Sequence, residues 1–180
     1  MAVWTLDPAH TSASFSARHM MVTTVRGRCD IANGVLEFDP EHPENARVEA
    51  EIDAASLSSG VADRDNHLRS ADFLDVANYP TLTFKSTKVE VTGPNTANVT
   101  GDLTIRDVTR PLTMKVEYIG ETSGFGGEKR IGFAATAKID RFDWGLTWNV
   151  ALEAGGLVVG KEIKLELDAE AILVTETATA

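Results

Sequence analysis

The chain has 180 residues, of which 43% are hydrophobic, and carries a formal net charge of −10 at pH 7. This length predicts a single domain spanning residues 1–180, and the apolar fraction excludes a disordered chain. The acidic balance disfavours nucleic acids and anionic membrane surfaces as partners, because both are normally bound by a basic face.

The first predicted strand begins at Trp4 and runs towards Asp7. A secretory signal needs a basic region and an apolar run of ~7–15 residues, and neither precedes this strand. No stretch approaches the ~18–20 apolar residues that a membrane span requires. We therefore expect a cytoplasmic protein without stable membrane insertion.

Alternation of apolar and polar residues predicts amphipathic strands along most of the chain. From Thr11 to His19, alanine, phenylalanine and histidine share one face, and serine and arginine share the other. The same period of two recurs at 48–53, 99–105, 112–118 and 163–171. Turn-rich segments connect the strands at Thr92 to Asn95, Arg106 to Pro111, Gly124 to Gly127 and Gly155 to Gly156. This pattern predicts an all-β antiparallel barrel or sandwich, and a barrel would leave no exposed strand edges.

One segment, Ser56 to Asn78, interrupts the strand pattern. Asp63 is a candidate N-cap for a helix, and Ser70 is a candidate cap for a second helical turn. Pro80 disfavours helix at the residue before it and returns the chain to a strand. We therefore predict one short helical insertion, at about residues 61–77, among roughly eight strands.

The apolar faces of the predicted strands combine small and large side chains. An eight-stranded barrel has an interior that side chains can fill or that can hold a small ligand. Numerous small inward residues favour an unfilled lumen, whereas large residues from other strands favour a packed core. The inward set comprises Ala13, Phe15, Ala17, Ala50, Phe84, Gly101, Met114, Phe133, Ala135, Ala137, Ala169 and Ala171.

Arg64, Asp65 and His67 are the strongest candidates for catalysis, because a histidine oriented by an aspartate can act as a general base. Two residues apart on a helix, however, Asp65 and His67 would not face each other. We prefer a structural role in which these three residues brace the helical insertion against the barrel rim. No catalytic residue is therefore predicted.

No metal site is predicted, because His10, His19, His42 and His67 lack the spacing of metal-binding motifs. His19 shares a face with Phe15, which indicates either a core or rim histidine or a polar contact with a ligand head group. The single cysteine, Cys29, is interpreted as a buried apolar residue, since free cysteines are commonly buried. A reactive thiol would be the alternative.

Trp144 and Trp148, together with Phe142, form an aromatic group around Gly145. The group can pack into the core or plug the barrel. Alternatively, it can form an aromatic wall near a pocket mouth, where an indole faces both lipid and water.

Several motifs follow one another in a characteristic order. They are W-T-L-D-P-x-H-T-S at 4–12, R-D-x-H-L at 64–68, Y-P-T at 79–81 and G-D-L-T-I at 101–105. Together they resemble the YceI-like family, over residues from Trp4 to about Val174. Asp107 departs from the family pattern, which commonly has glycine there, and Cys29 replaces a larger apolar residue.

The resemblance implies a lipocalin-like, eight-stranded antiparallel barrel with a helical insertion. It also implies a carrier for a polyisoprenoid, an isoprenoid quinone or a long acyl amide, held in an elongated tunnel. No cofactor is implied beyond such a bound isoprenoid or quinone-like lipid, and a homodimer is expected.

We predict that lumen residues bind the long-chain isoprenoid or acyl lipid, with His19 as the head-group contact. Two other functions stay open. One is a lipid-modifying enzyme that uses Arg64, Asp65 and His67, and the other is a solid barrel that serves as a stress-response or interaction module. The predicted ligand-binding residues are Phe15, Ala17, His19, Phe73, Phe84, Leu103, Met114, Val116, Phe133, Trp144 and Trp148.

Overall fold

The computed structural model describes residues 1–175, and within them most of the regular structure is β-strand. The strands are β1 (Ala2–Leu6), β2 (Ser12–His19), β3 (Thr23–Phe38), β4 (Arg47–Ser58), β5 (Thr81–Gly93), β6 (Thr96–Ile105), β7 (Val108–Ser123), β8 (Lys129–Asp140) and β9 (Val159–Leu173). The helices are α1 (Ala62–Arg69) and the 3₁₀ turns Pro43–Asn45 and Arg141–Trp144.

The strands form one antiparallel sheet that closes on itself. Strands β2 to β9 pair in chain order, and β9 pairs back with β2, so that eight strands complete the circle. The predicted all-β, eight-stranded antiparallel barrel with a helical insertion is confirmed.

Strands β1 and β2 share one position in the barrel wall, which the sequence did not predict. Trp4 in β1 lies between Leu36 of β3 and Leu173 of β9. Phe15 in β2 lies between the same two strands further along, where its partner on β9 is Leu165. The strand is therefore interrupted between residues 7 and 11, and the chain then continues at the same position in the barrel wall.

Because neighbouring strands are antiparallel, successive connections lie at opposite ends of the barrel. The helix end carries residues 20–22, 59–80, 106–107 and 141–158. The hairpin end carries residues 39–46, 94–95 and 124–128.

The helical insertion is present, but its predicted N-cap is wrong. Helix α1 begins at Ala62, and the N-cap position is Val61, which has no side-chain cap. Asp63 lies inside the first turn of α1. Its negative charge there interacts favourably with the positive end of the helix dipole, but its side chain does not cap the helix. Ser70 is the C-cap of α1, and its Oγ donates to the carbonyl oxygen of His67 at 2.6 Å.

The turn between β6 and β7 is shorter than predicted. Only Arg106 and Asp107 connect the strands, so Pro111 lies within β7, opposite Asp102 of β6. The left-handed residue of this turn is Arg106, with φ of 57°.

Among residues 1–175, no helix has both the length and the apolar character needed to cross a membrane. The sequence predicts a frayed tail over residues 175–180, and residues 176–180 lie outside the part of the chain that the structure describes.

Candidate ligand-binding cavity

The barrel encloses an apolar cavity of about 810 Å³. Its walls include residues from all nine described strands, from Trp148 at the helix end to Pro94 at the hairpin end. This volume lies within the ~300–1,000 Å³ that is typical of ligand pockets. The lumen is therefore hollow, which removes the structural basis of the solid-barrel alternative.

Glycines in the wall leave room for two aromatic rings of the lumen. A Cβ atom added to Gly27 would overlap the ring of Phe15, and one added to Gly101 would overlap the ring of Phe84. Each ring thus lies against glycine backbone. The two phenyl rings occupy the space that side chains at positions 27 and 101 would fill, so the centre of the barrel stays open.

The structure places most of the predicted ligand-binding residues on the cavity wall. Whether they contact a ligand stays a prediction. The cavity-lining residues from that set are Phe15, Ala17, His19, Phe73, Phe84, Leu103, Met114, Val116, Phe133 and Trp148.

Trp144 is the exception, because it does not line the cavity. Its side chain is buried in the core, and its Nε1 donates to the carbonyl oxygen of Leu103 at 2.9 Å. A buried indole N–H normally needs such a partner. Trp144 is therefore a packing residue that joins the 3₁₀ turn Arg141–Trp144 to β6.

Trp148 belongs to an aromatic cluster at the helix end of the cavity. The ring of His67 lies 4.4 Å from that of Trp148, in perpendicular orientation, and 5.2 Å from that of Phe73. The Phe73 and Trp148 rings are 5.4 Å apart. His67 is held by Asp72, with Nε2 at 2.9 Å from Oδ2. Of the predicted group of Phe142, Trp144 and Trp148, Trp148 is the member found in this cluster, and its two partners come from α1 and the turns after it.

Arg64 and Asp65 brace the start of α1. Asp65 accepts hydrogen bonds from the backbone N–H of Ser59, at 2.8 Å, and from its Oγ. Arg64 donates from Nε to Ser59 Oγ at 2.7 Å and from Nη2 to the Ser59 carbonyl at 2.9 Å. Burial opposes the charged carboxylate, but the Ser59 hydrogen bonds and the positive charges of Arg69 and Arg64 together outweigh it and lower the pKa of Asp65. His67 pairs with Asp72 rather than with Asp65. The geometry therefore supports a bracing role for Arg64 and Asp65.

Cys29 is buried and lines the cavity, in agreement with its interpretation as an apolar wall residue. Burial raises the pKa of its thiol to about 12. Because the thiolate is the reactive form, this environment opposes reactivity at neutral pH.

Arg141 lines the helix end of the cavity and was missed by sequence reasoning. It is only 2% exposed, although arginine is rarely buried without a partner. Its guanidinium donates to backbone carbonyls of the segment that leads into β9. The acceptors are Leu146 at 2.6 Å, Trp148 at 2.9 Å, Gly160 at 2.9 Å and Val159 at 3.2 Å. Burial lowers the pKa of Arg141. A lone arginine between a strand and an aromatic run would have been only a weak sequence signal.

The family model for the YceI-like domain matches residues 4–171. The chain belongs to the YceI-like family. A UPF0312 protein of Vibrio parahaemolyticus is 38% identical over 136 residues, which cover 76% of this chain and 72% of the relative.

Solved structures share the architecture of this YceI-like barrel. A YceI protein of Campylobacter jejuni superposes with a TM-score of 0.75 at 29% identity, covering 88% of this chain and 90% of that one. A Saccharophagus degradans domain, described as polyisoprenoid binding and implicated in plant cell wall breakdown, has a TM-score of 0.69 at 15% identity. The superposition covers 97% of this chain and 100% of that domain, and at such low identity it shows the fold alone.

A polar cluster on the outside of the YceI-like barrel gathers groups that could ligate a metal. Side-chain ligand atoms of Asp7, His10 and Glu170 lie within 4.8 Å of one another. Arg130 donates from Nη1 to Asp7 Oδ2 at 2.9 Å and also to Glu170. Its positive charge already compensates both carboxylates and would repel a cation. The cluster therefore attaches the segment between β1 and β2 to strands β8 and β9.

Proposed function

We propose that this YceI-like barrel binds a long apolar lipid along its lumen and stores or transports it. Ligands of this class include a polyisoprenoid, an isoprenoid quinone and a long acyl amide. The observation that carries the proposal is the apolar cavity whose walls extend from the helix end to the hairpin end. Burying a tail there would contribute up to ~0.8 kcal/mol per CH₂ group before ordering is subtracted.

Two further points support a lipid as the ligand. The wall is built mainly from aliphatic and aromatic side chains. A domain of the same fold, from Saccharophagus degradans, is described as polyisoprenoid binding. The chemical identity of the lipid, the cytoplasmic location and the homodimeric state stay predictions.

The alternative of a lipid-modifying enzyme gains no support from the geometry. Arg64 and Asp65 are committed to Ser59, and His67 is held by Asp72. We propose a carrier rather than an enzyme. A folded His67→Ala protein that loses a measurable turnover would favour the enzyme instead.

The first experiment is native mass spectrometry of the purified protein, followed by organic extraction and identification of any lipid. We expect a stoichiometric long-chain isoprenoid or acyl compound. A mass equal to the bare chain, unchanged after incubation with quinones, polyprenols and acyl amides, would contradict the carrier function.

A matched pair of substitutions tests whether the lumen is the site. Ala135 lines the cavity, whereas Ala134, the preceding residue of β8, lies on the opposite face, between Glu117 and Asp168. The phenyl ring of Ala135→Phe enters the open lumen, so lipid occupancy should fall about tenfold or more while circular dichroism stays unchanged. Ala134→Phe should retain wild-type occupancy. Equal occupancy in the two variants would place the lipid elsewhere.

A further inference from the structure

The ionisable side chains at the helix end of the cavity are mostly basic. This is unexpected in a chain with 27 acidic and 17 basic residues. In the described residues, the ionisable groups that line this end are Arg18, His19, Asp63, Arg64, His67 and Arg141. The charge of the cavity end is therefore opposite to that of the whole protein.

Three of these groups converge on one short stretch of β9. Arg141 donates to the carbonyl oxygens of Val159, at 3.2 Å, and Gly160, at 2.9 Å. His19 is the cross-strand partner of Val159. A Cβ atom added to Gly160 would lie 3.4 Å from the Cβ of Arg18. Residues that are far apart in the sequence thus form a basic group at one end of the lumen.

Arg141 forms no ion pair with the described part of the protein, and the carboxylate of the neighbouring Asp140 acts on it only from beyond ion-pair distance. Its recorded acceptors are neutral carbonyl oxygens, and among residues 1–175 none of Arg18, His19 and Arg141 has a carboxylate oxygen within 4.0 Å. A buried charge without a counter-ion is unfavourable, and an anion beside it relieves that penalty. His67 differs from these three, because Asp72 already pairs with it.

We propose that the lipid held in this lumen carries an anionic head group, a carboxylate or a phosphate monoester, bound at the helix end by Arg18, His19 and Arg141. This inference rests on the proposed function and, among long apolar lipids, favours fatty acids and isoprenyl phosphates over neutral quinones and amides. The tail then runs along the apolar wall towards the hairpin end. Charge-assisted hydrogen bonds are stronger than neutral ones, so the head group would add both affinity and orientation.

Matched ligand pairs test the head group without changing the tail. Palmitate is compared with palmitamide, and geranylgeranyl phosphate with geranylgeraniol, by quenching of tryptophan emission at neutral pH. The anionic member of at least one pair should bind about tenfold more tightly. Equal binding within both pairs overturns the anionic head group but leaves lipid binding intact. If no member of either pair binds, the proposed function fails as well.

Probes without a tail separate a lipid head group from a free anion. Acetate and inorganic phosphate should show no measurable binding at the concentrations at which palmitate and geranylgeranyl phosphate saturate the protein. If either binds as tightly as its lipid counterpart, the site selects a free anion and the proposal is overturned.

Two arginines of the β2–β3 hairpin provide a matched control. Arg18 and Arg26 are both exposed. Alternation predicts Arg18 on the outer face with the serines, but the register shift between Ala17 and His19 interrupts the alternation, and Arg18 lines the cavity with His19. Arg26 does not line the cavity and lies opposite Ser16 on the outer face. The Arg18→Gln, His19→Gln double variant should lower the preference for the anionic ligand about fivefold or more. Arg26→Gln should leave that preference unchanged.

Arg141 is left intact in this comparison because it holds the segment that leads into β9. If the double variant retains the full preference, or if Arg26→Gln lowers it equally, the assignment of the head group to this end is overturned.

Discussion

Small residues decide where the large residues of this lumen lie. Phe84 can rest against the barrel wall because Gly101, on the neighbouring strand, presents no side chain. Phe15 and Gly27 form a second pair of the same kind. Glycine in a strand interior is normally unfavourable, and close approach of another group is a common reason for it. Here that close approach keeps two rings out of the centre of the cavity.

The role of Gly101 can be tested by adding a single methyl group. In Gly101→Ala the new Cβ would overlap the Phe84 ring and lie 2.5 Å from the carbonyl oxygen of Lys85, which is backbone and cannot move freely. We expect the free energy of unfolding to fall by about 1–3 kcal/mol. Denaturation in urea measures the change.

Gly132→Ala is the control for this substitution. The nearest atom to a Cβ at Gly132 is the Cβ of Ile119, at 3.6 Å, so the methyl group fits. The free energy of unfolding should change by no more than about 0.5 kcal/mol. Similar losses of unfolding free energy in Gly101→Ala and Gly132→Ala would show that the position of the Phe84 ring does not require glycine at residue 101.

At the scale of elements, the strands were predictable and the insertion only partly so. Period-two alternation places strands without reference to the rest of the fold, because it depends on one wet and one dry face. The bracing of the start of α1 depends on which carboxylate reaches Ser59, and the sequence indicated Asp63 as the residue that would cap this helix. Only the folded path of the chain shows that Asp65 is the one that reaches Ser59.

The two tryptophans near β9 illustrate the same limit. They lie four residues apart, and both were predicted to be ligand-binding residues of the lumen. Gly145, with φ of 76°, reverses the chain between them, so that Trp144 packs in the core and Trp148 faces the cavity. A left-handed turn between two aromatic residues cannot be located from their spacing.

Asp65 should make the insertion sensitive to acid. Its pKa is lowered below the reference value of 3.8, so its charge stabilises the fold above that pH, and the stabilisation is lost as pH falls through the folded pKa. Asp65→Asn should reduce the free energy of unfolding by about 1–2 kcal/mol at neutral pH. The difference from wild type should shrink below about pH 3.8.

Asp63→Asn is the control on the same helix. Asp63 is exposed, so its substitution should change stability by less than about 0.5 kcal/mol. Urea denaturation across a pH series measures both variants. A constant difference between wild type and Asp65→Asn at all pH values would mean that the charge of Asp65 contributes nothing.

For the whole molecule, the barrel could be predicted from alternation and family motifs, whereas alternation left its hollow interior open and only the family resemblance implied it. Whether inward residues fill the lumen depends on cross-strand register, such as the pairing of Phe15 with Gly27. The cluster of Arg18, His19 and Arg141 at the helix end depends on closure of the barrel, because it brings β2, early in the chain, next to Arg141, late in the chain. Arg141 gave only a weak sequence signal, since its partners are backbone carbonyls.

The continuous cavity predicts a specific relation between ligand length and affinity. In a series of neutral acyl amides, each added CH₂ should contribute up to ~0.8 kcal/mol, or about fourfold in affinity, while the tail extends along the apolar wall. The increase should stop at the length at which the tail reaches the hairpin end, because further methylene groups would enter water. Isothermal titration calorimetry of the series measures the slope and the plateau, and the use of neutral ligands keeps the result independent of the head group. Ala135→Phe should reduce the slope or move the plateau to shorter chains, and Ala134→Phe should change neither. An affinity that does not vary with chain length would indicate a surface site and contradict binding along the lumen.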